Sequence, residues 1–210
     1  MNIPILAHFA AASHILPAYG GLSRWKKINT PMKVFTVFWC VAVVLEIVEF
    51  VLGRLGIHNQ FVINIFFLIQ CECFLYLYYH WTILEPAKNI IKFAQMVFFI
   101  AWMIDVSFTP FPDEFRETIL TAGNVILIFS SIFILQTLLK LSTISLLHNS
   151  IFWIGCGTIV YSTGTLIVWA MSNTMMKMGV EYFAILWHIN WGFAIIANVL
   201  YARSFWCKEF

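Results

Sequence analysis

Long apolar runs, each near twenty residues, alternate with short polar segments along the whole chain. A helical run of that length crosses the hydrocarbon core of a bilayer. The pattern predicts seven transmembrane helices, at residues 4–22, 34–53, 61–83, 90–108, 119–139, 151–171 and 183–203. The first run holds His8, His14, Pro17, Gly20 and Gly21, so we expect a helix that is kinked or shorter than the others.

The composition agrees with this pattern. The 210 residues are 61% hydrophobic and 10% charged, with a mean hydropathy of +0.87. The formal net charge of +2 is too small to indicate a nucleic-acid partner. No stretch is left over for a soluble domain. The sequence therefore predicts an all-α fold, a single polytopic seven-helix transmembrane bundle over residues 1–210 with the lipid bilayer as its main surrounding.

The lysines and arginines divide unevenly between the two sides of this bundle. With the N-terminus outside, three of the twelve lie on the outer side, Arg54, Arg116 and Lys177. The other nine lie on the cytoplasmic side: Arg24, Lys26, Lys27, Lys33, Lys88, Lys92, Lys140, Arg203 and Lys208. Positive charge accumulates in cytoplasmic loops. We expect an outer N-terminus and a cytoplasmic C-terminus.

Four acidic side chains lie inside the apolar runs: Glu46, Glu49, Glu72 and Asp105. A carboxylate in hydrocarbon costs about 3 kcal/mol or more, so it is normally turned into the bundle and partnered. Glu46 and Glu49 are three residues apart and share one helix face. They cannot both ionise cheaply there, so we expect at least one to hold a proton. They form a proton relay or a site for a cationic or hydroxyl-rich ligand, or else they join helices by hydrogen bonds.

The third and seventh spans add further polar candidates. Asn64 and Glu72 fall within one arc of the third span, and Gln70 lies nearly opposite Glu72. Glu72 is close to the middle of the membrane, which favours a functional or packing role over accident. A hydrogen-bonded packing role is the default interpretation of His188 in the seventh span, and a proton or ligand site is the alternative.

The sixth span carries Tyr161 between Gly157 and Gly164 on one face. Small residues at this spacing let a neighbouring helix approach closely. Packing is the default interpretation of this face. A contact between the Tyr161 hydroxyl and a ligand is the alternative.

Motifs typical of metal, cofactor or enzyme chemistry do not stand out in the sequence. The seventh span has no lysine that could form a retinal Schiff base, and HExxH, Walker and GxSxG motifs do not occur. Cys71 and Cys73 are two residues apart on a helix and point away from each other, which suits packing better than metal binding. The sequence predicts no metal site and no cofactor, and enzyme activity is the weakest of the functions considered.

Three stretches carry a resemblance to a known group of proteins: HILPAYGGLSRWKKINTPMKVF, VVLEIVEFVLGRLGIHNQFVINIFFLIQCECFLYLYYHW and HINWGFAIIANVLYARSFW. They resemble an uncharacterised family of small seven-helix membrane proteins of Bacteroidetes. The matching residues are Glu46, Asn59, Asn64, Glu72, His188 and Asn190. The resemblance implies a seven-helix fold and an association with sensing or signalling, without a known activity.

These observations lead to one functional expectation with two alternatives. We expect a membrane sensor or receptor-like module whose outward-facing polar cavity gathers Glu46, Glu49, Asn64, Glu72 and His188. Tilting of the sixth or seventh span would carry the signal to a membrane or cytoplasmic protein partner, because the inner loops are too short for chemistry of their own. The alternatives are a small-solute or proton-coupled transporter and a structural subunit of a membrane complex.

Overall fold

The computed structural model describes residues 4–57, 59–108, 116–141 and 145–207. In these ranges the chain is helical, with one 3-10 turn at Leu146–His148. The helices are α1 (Ile5–Ser13), α2 (Ile15–Arg24), α3 (Thr30–Arg54), α4 (Gln60–Trp81), α5 (Glu85–Phe108), α6 (Glu117–Leu141), α7 (Ser150–Met178) and α8 (Val180–Ser204). The all-α prediction is confirmed. Lys208, which entered the charge distribution, lies outside the described residues.

Six helices, α3 to α8, are long and apolar enough to cross a membrane, which indicates an integral membrane protein. They correspond to the second to seventh predicted spans. The first predicted span is broken at His14 into α1 and α2. Pro17 explains the break, because proline has no N–H to donate to the Ser13 carbonyl and its ring crowds that oxygen. The predicted kink is therefore confirmed.

Helices α7 and α8 are longer than predicted. The segment 172–182, expected to be a loop, is helical except at Gly179, whose φ of 139° turns the chain. The predicted connection was wrong because mean hydropathy marks only the membrane-embedded part of a helix. Polar residues such as Asn173 and Lys177 extend α7 beyond that part.

The helices form a ring closed by α8. Helix α8 packs against α7 and against both α1 and α2, α3 lies between α2 and α4, and α6 lies between α4 and α7. Helix α5 packs on the outside, against α4 and α6. Its side chains Ile90 and Phe93 are 68% and 63% exposed. Such apolar surface is consistent with contact to lipid.

A buried hydroxyl network joins four of these helices. The Tyr78 hydroxyl of α4 lies 2.7 Å from Ser131 Oγ of α6 and donates to Thr158 Oγ1 of α7 at 2.8 Å. Tyr201 of α8 donates to the same Thr158 oxygen at 3.5 Å. Tyr78, Ser131 and Thr158 have no exposed surface. The Tyr78 hydroxyl finds its partners on two other helices, so these bonds favour one relative height of α4, α6 and α7.

We expect Tyr78→Phe to destabilise the bundle by about 1–2 kcal/mol, because the hydroxyl that connects α6 and α7 is lost while the ring stays in place. The thermal unfolding midpoint in detergent micelles should fall by a few degrees. Tyr182→Phe is the matched control, since Tyr182 is 50% exposed. Equal midpoints for the two variants would show that the network contributes nothing to stability.

Candidate functional site

The four acidic residues of the apolar runs lie at three separate places. Asp105 pairs with Arg116 at the start of α6. Glu72 accepts a hydrogen bond of 2.6 Å from Gln95 Nε2 of α5. Glu46 and Glu49 line a cavity inside the ring of helices. Only this last pair therefore belongs to a site with room for a ligand.

The cavity has a volume of about 110 Å³ and lies between α1–α2, α3, α4, α7 and α8. Its polar lining consists of His14, Glu46, Glu49, Gln70, Asn190 and Asn198. Asn198 Nδ2 donates to Ser13 Oγ of α1 at 2.7 Å, and both residues are buried. This bond holds the end of α1 against α8. The break at His14 therefore forms part of the cavity wall.

The break in the first helix brings a histidine to the carboxylates. His14 Nδ1 lies 3.6 Å from Glu46 Oε1 and 3.3 Å from the Ala11 carbonyl oxygen. The His14 side chain is 10% exposed and the Glu46 side chain 35%. A protonated His14 would form an ion pair with Glu46, whereas a neutral ring can satisfy the Ala11 carbonyl alone. The two side chains therefore face the same space and can contact one ligand.

Aromatic side chains form much of the remaining wall. They are Trp39, Phe66, Tyr161, Trp169, Trp187, Trp191 and Tyr201. The Trp169 and Trp187 rings meet edge to face, with centroids 5.8 Å apart and an interplanar angle of 88°. Gly157 and Gly164 make room for this wall on α7, because Cβ atoms there would collide with the rings of Tyr201 and Phe193 of α8. The packing interpretation of the two glycines is confirmed.

The cavity borders at Tyr201 on a cluster of packed rings, here called the aromatic floor, made of Phe35, Phe74, Tyr201 and Phe205. Each of the four is at most 1% exposed. The ring centroids of Phe35 and Phe74 lie 5.8 and 5.4 Å from that of Tyr201, and Phe205 stacks on Phe35 at 5.7 Å. The floor separates the carboxylates from the end of the bundle that carries Arg24, Lys26 and Lys27.

The cavity brings together half of the site residues that were proposed from the sequence. Glu46, Glu49 and Tyr161 line the cavity, whereas Asn64, Glu72 and His188 do not. The expected convergence of all the polar groups on one chamber is therefore wrong. Asn64 is buried without a hydrogen-bond partner for either side-chain atom. His188 lies exposed on α8, where its Nδ1 is 2.6 Å from the Ala184 carbonyl oxygen.

Two of the three misplaced candidates, Glu72 on α4 and His188 on α8, fail for the same geometric reason. Gln70 and Asn190 line the cavity, and each lies two residues before or after the residue proposed, Glu72 and His188. Residues two apart on a helix point about 200° apart, so one of each pair faces the cavity and the other faces away. The sequence shows that the two residues of each pair point in opposite directions. It does not show which of the two directions faces the cavity.

His14 is the site residue that the sequence analysis left without a role. Its signal was Pro17, three residues later, which marks the break that turns His14 towards α3. Within the described residues, no group of three or more histidine, cysteine, aspartate or glutamate side chains could hold a metal ion. The cavity is therefore a chamber of acidic, amide and aromatic groups.

In comparisons with known proteins the chain matches no protein-family model, no curated protein and no solved structure.

Proposed function

We propose that this protein is a membrane sensor or receptor-like module that binds a small ligand in the cavity beside Glu46 and Glu49. The observation that carries the proposal is a chamber that combines carboxylate, amide and indole side chains and borders on the packed aromatic rings around Tyr201. Its volume of about 110 Å³ suits a ligand of few heavy atoms, since drug-sized sites measure roughly 300–1,000 Å³.

The proposed orientation puts the chamber on the outer side of a bacterial inner membrane. Glu46 and Glu49 lie in the last third of α3, towards Arg54, and the floor residue Phe35 lies in its first turns. The uneven distribution of lysine and arginine supports a cytoplasmic position for the floor end. The ligand would then arrive from outside the cell.

Two elements connect the chamber with the proposed cytoplasmic side. The first is the broken helix, which contributes Ala10 and His14 to the lining and ends at Arg24. The second is α8, which contributes Asn190 and Asn198. A ligand that displaces either element would move the loop after Arg24 or the segment after Ser204. A protein partner in contact with these segments would respond to that movement.

A cavity-filling substitution tests this proposal without a known ligand. Ala194 lines the cavity and is 8% exposed, so phenylalanine there would occupy ligand space. In nanodiscs, we expect Ala194→Phe to change hydrogen–deuterium exchange at residues 25–29 or 203–207 at least about twofold, an energy of roughly 0.4 kcal/mol. Gly192→Phe is the control, because a Cβ at Gly192 meets nothing within 4 Å.

The alternatives predict different outcomes. A transporter would show solute or proton flux in proteoliposomes that Ala194→Phe blocks, and that result would replace the sensor proposal. A structural subunit would show no change of exchange at either inner segment although the chain stays folded. Exchange that changes in Ala194→Phe, but not in Gly192→Phe, and without flux, supports the sensor.

A further inference from the structure

Two buried amide oxygens of the cavity lining have no hydrogen-bond donor. Gln70 Oε1 and Asn190 Oδ1 have no hydrogen-bond partner, although these residues are only 4% and 7% exposed. The carboxylates of Glu46 and Glu49 add further acceptor oxygens. Buried polar atoms are normally paired, so unpaired acceptors that line a cavity indicate an occupant with several donors.

The charge of the cavity lining also indicates an occupant that donates hydrogen bonds, and one that carries positive charge. It contains two carboxylates and neither lysine nor arginine, and His14 is its one residue that can become cationic. His14 approaches Glu46 at 3.6 Å. Glu49 has no such cationic neighbour within the lining. A cation bound in the cavity would allow both carboxyl groups to be ionised, because its positive charge offsets their mutual repulsion.

The aromatic wall distinguishes an organic from an inorganic cation. Four indole rings, those of Trp39, Trp169, Trp187 and Trp191, line the cavity together with Tyr161. The faces of such rings attract alkylammonium groups, and indole is the strongest of the aromatic side chains in this respect. Magnesium and calcium instead select sites made mostly of oxygen ligands. A wall that combines aromatic rings with hydrogen-bond acceptors therefore suits a ligand with an alkyl chain and a charged amine.

From these three observations we infer that the cavity binds a small protonated primary amine. The ammonium N–H groups donate to Glu46 or Glu49 and to the unpaired oxygens of Gln70 and Asn190, and the alkyl part lies against the indole rings. The Trp39 indole N–H is also buried without an acceptor, so it can donate to a hydroxyl on the same ligand. The inference rests on the proposed function only in that the cavity is a ligand site.

Three probes of one skeleton test the inference. Ethanolammonium carries a charge, N–H donors and a hydroxyl, choline keeps the charge without N–H donors, and ethylene glycol has no charge. Binding to the full chain in nanodiscs would be measured by tryptophan fluorescence and by calorimetry at constant ionic strength. We expect saturable binding of ethanolammonium, binding of choline at least tenfold weaker, and no binding of ethylene glycol.

Variants locate the binding. Glu46→Gln combined with Glu49→Gln should weaken ethanolammonium binding at least tenfold, and Ala194→Phe should abolish it. Glu72→Gln is the matched control, because Glu72 is a half-buried carboxylate of the apolar segments that lies outside the cavity. The affinity of the Glu72→Gln variant for ethanolammonium should stay within about twofold of that of the native chain. Gln70→Leu, which keeps both carboxylates, provides a second test if the double variant does not fold.

Each contrary result overturns a different statement. Equal binding of choline removes the role of the N–H donors, and equal binding of ethylene glycol removes the role of charge. Loss of binding in Glu72→Gln to the same degree as in the double variant moves the site away from the cavity. If no probe binds while Ala194→Phe still alters exchange at the inner segments, the ligand class is wrong and the sensor proposal stands. If both fail, the proposed function fails with the inference.

Discussion

Replacement of Gly164 by alanine should lower the stability of this protein more than any other single-methyl change on α7. A Cβ at this position would overlap the Cγ end of the Phe193 ring on α8, which cannot swing away like the tip of a flexible side chain. Either the ring leaves its rotamer or α7 and α8 separate. Such overpacking costs about 1–3 kcal/mol, which corresponds to a fall of roughly 3–10 °C in the unfolding midpoint.

The chain provides matched controls for this substitution. Gly53 and Gly192 are also helical glycines, but a Cβ at either meets nothing within 4 Å. Alanine there should be neutral or stabilise the helix by up to about 1 kcal/mol, since glycine is the poorer helix former. Midpoints measured in the same detergent should therefore separate Gly164→Ala from both controls. If all three variants unfold at the same midpoint temperature, the close packing of α7 on α8 does not hold.

The second large effect concerns the ion pair between Asp105 and Arg116. Arg116 carries its charge at a side-chain exposure of 5%, whereas the Asp105 side chain is 33% exposed. Removal of one partner of a buried pair costs about 3–5 kcal/mol, because the remaining charge is poorly solvated. We expect Asp105→Ala to destabilise the chain by about 3 kcal/mol and Arg116→Ala to cost less, since Asp105 can reach water more easily.

An exposed ion pair on the same helix is the comparison. Lys88 Nζ lies 2.7 Å from Glu85 Oε1 at the other end of α5, and the Glu85 side chain is 76% exposed. Glu85→Ala should cost less than about 1 kcal/mol. The double variant Asp105→Ala with Arg116→Met should recover much of the loss, because it leaves no unpaired charge. A double variant as unstable as Asp105→Ala alone would contradict this account.

Most of the helices could be predicted from the sequence because their signal is local. Each run from α3 to α8 is apolar enough to be recognised alone, and Pro17 marks the break between α1 and α2 by its chemistry. The ends of α7 and α8 could not be predicted in this way. Hydropathy does not distinguish a polar loop from a polar turn of helix, and here only Gly179 interrupts the helical path.

The candidate site was only half predictable. Glu46 and Glu49 share a face and line one cavity, so the local periodicity was sufficient for that pair. The expectation for Glu72 failed because Gln95 of α5 provides its partner on the opposite side of α4. A ring of helices with α5 outside it gives α4 two protein-facing sides, and no property of the fourth helix alone predicts which side holds the cavity.

By itself the sequence determined that the chain is helical, that the second to seventh predicted spans are long and apolar, that the first predicted span is kinked, and that Glu46 and Glu49 share one helix face. These follow from composition and from the 3.6-residue period, which act within one helix. Only the tertiary structure decided that Gln70 and Asn190 join this pair while Glu72 and His188 face elsewhere. The rotation of each helix about its axis is set by contacts between helices, such as those of Tyr78 with Ser131 and Thr158, and these contacts do not exist until the bundle forms.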